Sequence, residues 1–580
     1  MTALPGNPDR RPARKALKLR ASGLALTCAL GVCAPGAAPA FAESRFWTEP
    51  APSQAGTLGP SGVESGGVVL TPDMSAGFAA PPGAAPAAPG PAAGPAAPTA
   101  RRLWKTSVRP YASTEVTVTD NAGLDPRGEE RSDTVLTGTV GLRATVEGTR
   151  AKGSLNYAAH YDHYFEDTND DGLRHDLAGA LSATVVPGLL YLDVAGSAAE
   201  SFARGEGRYS LNPVAGRNDR ERVYFGSVSP ALRQNLGGWA NAELRYTHAR
   251  SFYEDGEEAD EWMHGFSGAL VSDPRRFQKF GWGFSAAHMI YDDETDDKRR
   301  ASTVGGSVEV PLTAKLAGMG AAGYDHVRGS SLDEDKVGGG YVNLGARYVP
   351  NRRMNMDAYV GWRNQGLDYG ANLRYALAER LGISASAGRS VEFLDFGGAP
   401  YALLDAGADE AGNPLYRSAQ GGLTSNRAEA LAVSLADGSL RLASDPAFSR
   451  QTQDAVVDSA TLALSGSSGK TGVSLVGAAM RRDYGGPLDD DEWTLTLAGA
   501  VNRDLTSRIG VDASAAFILY APDDPRLTKE RTLSFGLGAS YRITEIVNAF
   551  ARYTYTRRFS DSPQDEYREN AGVLGLRADF

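Results

Sequence analysis

Apolar and small polar residues alternate along the chain from residue 101 to its end. The stretches are about ten to fifteen residues long, and a period of two is that of a β-strand with one apolar and one polar face. In TLSFGLGASYRI, residues 532–543, Leu533, Phe535 and Leu537 lie on one face, and the intervening serines, glycines and Arg542 lie on the other. The body of the chain is therefore predicted to be all-β.

The connections between these stretches fall into two kinds that largely alternate. Short turns such as VEGTR, VVPGLL, NLGG, VPLTAK, VPNRR and TSR are interleaved with longer, mostly acidic loops such as YFEDTNDDGLRHD, YEDGEEADE, YDDETDDKRR, SLDEDK, GGPLDDDE and APDDPRLTKE. A soluble β-sandwich or propeller could share the period of two, but this asymmetry is typical of an outer-membrane barrel. We predict a large antiparallel transmembrane up-and-down β-barrel.

The strand count follows from the number of alternating stretches. Fifteen precede residue 394 and seven run from about residue 450 to the end, which gives about 22 strands with a range of 18 to 24. An even number puts both ends of the barrel on the periplasmic side. The insertion at 394–450 departs from a plain up-and-down plan and could contain a further hairpin at residues 427–442.

Residues 1–42 are predicted to be a cleaved signal peptide. Six basic residues precede an apolar run that ends in Ala40-Phe41-Ala42, a small-x-small cleavage pattern. Cys28 and Cys33 are the two cysteines of the chain, so the mature protein has no disulfide or thiolate metal site. Cleavage would change the formal net charge from −11 to about −16, and this acidity argues against a nucleic-acid partner.

Residues 43–100 are predicted to be a disordered periplasmic linker. They are rich in Pro, Ala and Gly, with seven prolines in residues 74–100, which excludes a continuous helix. The segment could tether or bind periplasmic partners, although its composition favours a passive spacer. It is too short and too biased to form a globular plug.

Two features predict how the body meets the membrane. Six tryptophans occur near strand ends, where aromatic girdles contact lipid and lipopolysaccharide: Trp104, Trp239, Trp262, Trp282, Trp362 and Trp493. The chain ends in GLRADF, and a terminal strand with Phe580 last resembles the signal by which the barrel assembly machinery recognises its substrates. The predicted location is the cell outer membrane.

The strongest ligand-like motif is DTNDDG, in which Asp167, Asn169 and Asp171 have the spacing of a calcium-loop opening. Its twelfth position is Ala178 rather than a bidentate acid, and a solvated acidic turn is the alternative. His160 and His163 fall on opposite faces of a strand, so they do not form a compact metal site. We predict no cofactor and no catalytic residues.

Charged residues on the non-apolar face of clear strands would line the lumen. The candidates are Asp512, Arg542, Arg552 and Arg577. Charges of both signs could create a transverse field in a water-filled pore, or salt bridges could close the lumen. The period of two does not decide between these alternatives.

Two segments resemble a known family: YASTEVTVTDNAGLD, which contains Thr119-Asp120-Asn121, and YTYTRRFSDSPQDEYRENAGVLGLRADF at the end of the chain. They look like the outer-membrane β-barrel porins associated with exosortase/PEP-CTERM and exopolysaccharide systems. The resemblance covers residues 105–580 in layout. It implies an outer-membrane pore or secretion-associated barrel, with polysaccharide or secretion-system components as partners.

The resulting hypothesis is a passive pore or export conduit for polar solutes, linked through the resemblance to exopolysaccharide secretion. Residues 394–450 are the candidate constriction, because a wide barrel without a plug must be narrowed from within. The main alternative is a non-conducting structural or binding barrel, and a third is an outer-membrane hydrolase.

Overall fold

A computed structural model describes residues 104–580 with a set of gaps. The gaps are 149, 203–209, 217–219, 255–259, 274, 294–297, 331, 333–336, 365, 379–380, 393–406, 409–413, 418–422, 425–454, 485–490 and 524–527. The predicted signal peptide and linker, and the predicted hairpin at 427–442, lie outside the described residues.

Long strands follow one another along the described chain. The first fifteen are β1 Trp104–Thr119, β2 Asp133–Gly148, β3 Ala151–Tyr164, β4 Gly172–Val186, β5 Leu190–Phe202, β6 Arg220–Asn235, β7 Ala240–Tyr253, β8 Glu261–Ser272, β9 Gly281–Asp293, β10 Arg299–Pro311, β11 Leu316–Arg328, β12 Gly339–Asn351, β13 Met354–Arg363, β14 Gly366–Ala378 and β15 Leu381–Glu392. Three short strands follow within the insertion: β16 Gly407–Ala408, β17 Pro414–Arg417 and β18 Leu423–Thr424. The last seven are β19 Ala455–Ser468, β20 Thr471–Asp483, β21 Glu492–Asp504, β22 Ile509–Pro522, β23 Glu530–Arg542, β24 Val547–Ser560 and β25 Tyr567–Asp579.

The long strands form a single closed barrel. Each pairs antiparallel with its neighbours along the chain, β15 pairs with β19 across the insertion, and β1 pairs with β25 to close a sheet of 22 strands. β16–β18 form a separate three-stranded sheet. The predicted all-β antiparallel barrel is confirmed, including fifteen strands before the insertion and seven after it.

The connections define two rims. The rim that carries the start of β1 and Phe580 has mostly short turns, such as 505–508 and 543–546, and we call it the short-turn rim. The opposite end, the long-loop rim, carries longer connections such as 120–132, 165–171 and 203–219, and the 393–454 insertion begins and ends there. The alternation inferred from the sequence is thus the alternation between the two ends of the barrel.

The two faces of the barrel wall differ as the period of two requires. Large apolar side chains point outward and stay exposed: Val140, Leu344 and Leu574 are 63%, 67% and 68% exposed. Their inward-facing neighbours Asn343 and Val573 are 1% and 6% exposed. An apolar outer band around a more polar interior is the arrangement that a lipid bilayer selects.

Tryptophans occur near both ends of the barrel wall. Trp104, Trp239 and Trp282 lie toward the short-turn rim, and Trp262, Trp362 and Trp493 lie toward the long-loop rim. Such positions are typical of aromatic side chains at the two membrane interfaces. In the described part of the chain, no helix is both long and apolar enough to cross a membrane.

Candidate functional site: an inward-folded segment at the long-loop rim

One part of the β5–β6 connection folds into the barrel. Residues 210–216, SLNPVAG, include Asn212, Val214 and Ala215 at 1%, 1% and 0% exposure. The segment carries no charge, so it can leave water without the large cost of desolvating an ion. We call residues 210–216 the inward segment.

Glu569 on β25 anchors the start of the inward segment. The Ser210 hydroxyl and the Asn212 side-chain amide, at 2.7 Å, both donate to its carboxylate, and the Thr119 hydroxyl on β1 donates at 2.9 Å. Glu569 is only 1% exposed. A carboxylate this deeply buried is tolerated because several donors surround it.

The end of the inward segment packs against the β1–β2 loop. The N–H of Gly216 donates to the carbonyl of Ala122 at 2.8 Å, and Ala215 packs with Leu124 and Tyr567 in an apolar cluster. Leu124 has a φ of 55°, in the left-handed region that a bulky residue rarely adopts. Its complete burial compensates for this strained backbone.

Tyr164 on β3 fixes the middle of the inward segment. Its hydroxyl donates to the carbonyl of Val214 at 2.6 Å, and its ring packs with Val135 and Val214. Tyr164 is fully buried. Leu211 also lies close to Gly536 on β23, so the segment contacts the inner wall from β3 across the β1–β25 closure to β23.

Hydrogen bonds across the closure between β1 and β25 support this platform. The Asn121 side chain donates to the carbonyls of Asp125 and Arg568 at 2.9 and 3.0 Å, and Asn570 donates twice to the Asp120 carboxylate at 2.7 Å. The two sequence segments that carry the porin resemblance therefore meet at the closure of the barrel, beside the inward segment.

The rest of the β1–β2 loop is more exposed and is held by charged groups. Arg131 Nε lies 2.8 Å from Asp125 Oδ2, and this hydrogen bond raises the pKa of the guanidinium. Hydrogen bonds from the backbone N–H groups of Glu130 and Gly128 lower the pKa of the Glu130 carboxyl. The loop thus has a neutral inner half and a charged outer half.

The wall opposite the closure is lined differently. Arg363 on β13 makes two contacts, at 2.6 and 2.9 Å, with Asp325 on β11, and Asp325 is 1% exposed. Inward ion pairs near the long-loop rim also occur elsewhere around the wall, including strands beside the closure: Arg174 with Asp162, Arg482 with Glu492 and Arg558 with Glu530. Each of these pairs joins strands that are neighbours or next neighbours in the wall.

The four lumen candidates lie on consecutive strands on the inward face. Asp512 on β22 and Arg552 on β24 flank Gly538 on β23, where the Asp512 side chain leaves no room for a Cβ. Arg542 and Arg577 flank Asn548, nearer the short-turn rim. They form two rows: the row at Gly538 is two residues along β23 from Gly536, which Leu211 approaches, and the row at Asn548 is farther from the inward segment.

Two of these arginines contact aromatic rings. The Arg577 guanidinium lies 4.3 Å from the centre of the Tyr111 ring and its Nε lies 3.3 Å from Asp579, and Arg552 lies 5.0 Å from the Phe550 ring centre. These contacts lie along the wall. Whether the four charges influence a permeating solute remains a prediction.

The calcium-like motif does not assemble as a cluster. Asn169 is buried and donates to the carbonyl of Ala122 at 3.1 Å, whereas Asp171 lies 2.5 Å from His163, and Asp167 is exposed. Among the described residues, no group of three or more His, Cys, Asp or Glu side chains is placed to hold a metal ion.

His160 and His163 lie on opposite faces of β3. His160 points inward, with its Nδ1 2.9 Å from the Thr139 hydroxyl and its Nε2 3.1 Å from Asp176.

The C-terminal Phe580 is 67% exposed, and its N–H donates to the carbonyl of Pro110 at 2.9 Å.

No family model and no curated protein matches the chain, whereas several solved structures are similar to it at low identity. The siderophore receptors PirA from Pseudomonas aeruginosa and from Acinetobacter baumannii share 10% and 9% identity with it, at TM-scores of 0.41 and 0.43. In each case 81% of this chain covers 80% of the receptor. The FrpB iron transporter from Neisseria meningitidis shares 9% identity at a TM-score of 0.42, with 81% of this chain covering 82% of it.

The fold and the inward segment define a class of protein, the large closed transmembrane β-barrels whose lumen is occupied in part by their own loops. Identities of 9 to 10% leave the function of this chain to be argued from its own residues.

The inward segment was not among the sequence-based candidates, which placed the constriction at 394–450. That insertion is largely outside the described residues, so its role stays a prediction. A signal for the inward segment was nevertheless present: SLNPVAG has no acid, whereas several other connections at the same rim are strongly acidic.

Proposed function

We propose that this chain is an outer-membrane transport protein, a passive pore or export conduit for polar solutes, narrowed at the long-loop rim by the inward segment. The observation that carries the proposal is the burial of most of an uncharged loop segment against the inner wall, anchored on Glu569. A barrel of 22 strands encloses more space than its wall side chains can fill, so a loop that enters it reduces the open cross-section.

The wall is suited to polar solutes. Its inward face carries paired charges such as Asp325 with Arg363 and Asp193 with Arg245, whose guanidinium lies 2.7 Å from the carboxylate. Because these pairs run along the wall, they can interact with a hydrated solute without spanning the lumen. Such an interior supports transport without a cofactor or a chemical step.

The resemblance to exosortase-associated porins extends the proposal to the solute. It favours an extended polar polymer, an exopolysaccharide, as the molecule that passes through. Transient current block by a soluble acidic polysaccharide, with no block by an equal mass concentration of glucose, is the expected result. Equal effects of the two sugars would contradict this extension while leaving the pore itself intact.

Single-channel conductance in planar bilayers tests the pore. The mature chain, residues 43–580, is expected to give stable steps, and replacing residues 211–215 by a glycine-serine sequence of equal length should enlarge them. The control replaces residues 255–259, a five-residue acidic stretch of sequence between β7 and β8. Equal enlargement in both variants would argue against the inward segment as the constriction.

Deletion of residues 394–450 belongs in the same experiment, because the insertion is the other candidate constriction. Larger steps only in that variant would transfer the role to the insertion. If every form folds and none conducts, the transport proposal fails and a structural or binding barrel replaces it. The observation that favours this second function is the tight anchoring of the inward segment, because a firmly held segment can block the lumen permanently.

A further inference from the structure

The outer surface of β10 and β11 carries two arginines in an unusual arrangement. Arg300 and Arg328 are directly opposite each other in the antiparallel register, and both are exposed on the outward face near the long-loop rim. On the same face, Val304 and Tyr324 lie toward the membrane and are 55% and 54% exposed. The pair therefore lies at the edge of the apolar outer band.

Like charges placed directly opposite each other destabilise a pair of strands. Within the described residues, neither Arg300 nor Arg328 makes an ion pair that would offset this repulsion. Asp292 on β9 also lies on the outward face, two residues beyond Ile290, which is opposite Arg300. Its carboxylate, however, is 3.2 Å from the ammonium group of Lys298. The arrangement is explained if an external anion lies between the two guanidinium groups.

The neighbouring side chains match a phosphate group. His326 is exposed on the same face as Arg328, and the residue opposite it is Ser302, whose hydroxyl lies 2.8 Å from His288 Nδ1. Two planar guanidinium forks with an imidazole and a hydroxyl beside them provide the donors that bind phosphate oxygens. The apolar surface directly below suits acyl chains.

We propose that Arg300, Arg328 and His326 bind the phosphate of a phosphorylated lipid in the leaflet at the long-loop rim, whose acyl chains pack on Val304 and Tyr324. Charge complementarity selects the anion, and the adjoining exposed apolar band selects a lipid over a free anion. This site lies on the outside of the barrel, so it is independent of whether the lumen conducts.

A second opposed pair provides a matched control. Arg557 on β24 and Arg568 on β25 are also directly opposite and outward, but each has a partner of its own. The Arg557 guanidinium lies 4.1 Å from the centre of the Phe559 ring, and Arg568 Nε lies 4.0 Å from Glu130. Because both guanidiniums already have protein partners, this pair has less need of an external anion.

The test uses the mature full-length chain in detergent micelles, with bound lipid counted by native mass spectrometry. The probes are bisphosphorylated lipid A, dephosphorylated lipid A and inorganic phosphate. Wild-type barrel is expected to retain the phosphorylated lipid, and the R300Q/R328Q variant should bind it about tenfold more weakly, as the loss of charge-assisted hydrogen bonds implies. The R557Q/R568Q variant should remain within about twofold of wild type.

Each other outcome overturns the proposal. Equal weakening in the two double variants would mean that any exposed arginines at this level attract the lipid. Equal retention of the dephosphorylated lipid would remove the phosphate from the recognition, and competition by low concentrations of inorganic phosphate alone would identify a free-anion site. If R300Q/R328Q does not fold, the single variant R328Q is measured instead, with about a threefold weakening expected.

Discussion

The two sides of the lumen at the long-loop rim are filled by different means. On the side where β1 meets β25, neutral chain from the β5–β6 connection folds inward and is held by hydrogen bonds to Glu569 and Tyr164. On the opposite side, strands β11–β13 keep a wall lined by the Asp325–Arg363 pair. The difference lies in how each side satisfies its buried charge: the neutral loop residues surround a single carboxylate with hydrogen-bond donors, whereas the opposite wall buries a carboxylate and a guanidinium as a pair.

The largest effect is expected from breaking the wall pair. Asp325→Ala leaves Arg363 buried without its carboxylate and should lower the free energy of unfolding by about 3 to 5 kcal/mol, measured by urea titration of the refolded barrel. The double variant Asp325→Ala with Arg363→Met should recover much of that loss, because it removes the unpaired charge. No recovery would mean that the pair acts through packing rather than through charge.

Glu569→Ala tests the anchor on the other side of the comparison. It leaves the buried donors of Ser210, Asn212 and Thr119 without an acceptor, and the free energy of unfolding should fall by about 2 to 4 kcal/mol. Channel steps should also enlarge as the inward segment is released. Glu569→Gln, which keeps an acceptor oxygen, should have a smaller effect, and equal losses would contradict the hydrogen-bonding explanation.

Tyr164→Phe removes a single buried hydrogen bond from the inward segment. The carbonyl of Val214 then loses its donor, and a decrease of about 1 to 2 kcal/mol in the same titration is expected. Tyr161→Phe is the matched control on the same strand, because Tyr161 is 52% exposed on the outward face. An equal loss of unfolding free energy in Tyr161→Phe would show that the titration does not measure the hydrogen bond between Tyr164 and the inward segment.

The smallest effect is expected in the charged outer half of the β1–β2 loop. Arg131→Ala removes a pair with Asp125 in which the arginine side chain is 55% exposed, so stability should change by about 0.5 kcal/mol or less. A loss above about 1.5 kcal/mol would mean that the charged outer half supports the buried residues Leu124 and Ala122. The whole β1–β2 loop, rather than its inner half alone, would then stabilise this side of the lumen.

The sequence predicted the architecture well because a period of two is local information. TLSFGLGASYRI alone assigns Leu533 and Phe535 to the outward face and Ser534 to the inward face, and the structure leaves the first two exposed and buries the third. The strand count and the alternation of turns with loops follow from the same local signal. In the insertion at 394–450 the pattern indicated at most one further hairpin, at residues 427–442, which lies outside the described residues.

The inward segment could not be predicted in the same way. Its burial depends on Glu569, which is 359 residues from Ser210, and on Tyr164, which is 50 residues from Val214. Patterns along the chain do not show which distant residues meet. The absence of charge in SLNPVAG was the one local clue, and it indicated only that the loop could be buried, without showing where.

The anchoring of the inward segment on the last strand has a consequence for the order of assembly. Ser210 precedes Glu569 by 359 residues, and Glu569 is 450 residues from a further partner, Thr119. A sheet without β25 still offers the segment the Ala122 carbonyl and the Tyr164 hydroxyl, but it lacks the carboxylate anchor until the final strand has joined the first. Closure of the cylinder and the final fixing of the inward segment are therefore coupled through one carboxylate, and a chain truncated before β25 would hold the segment only by its contacts with β3 and the β1–β2 loop.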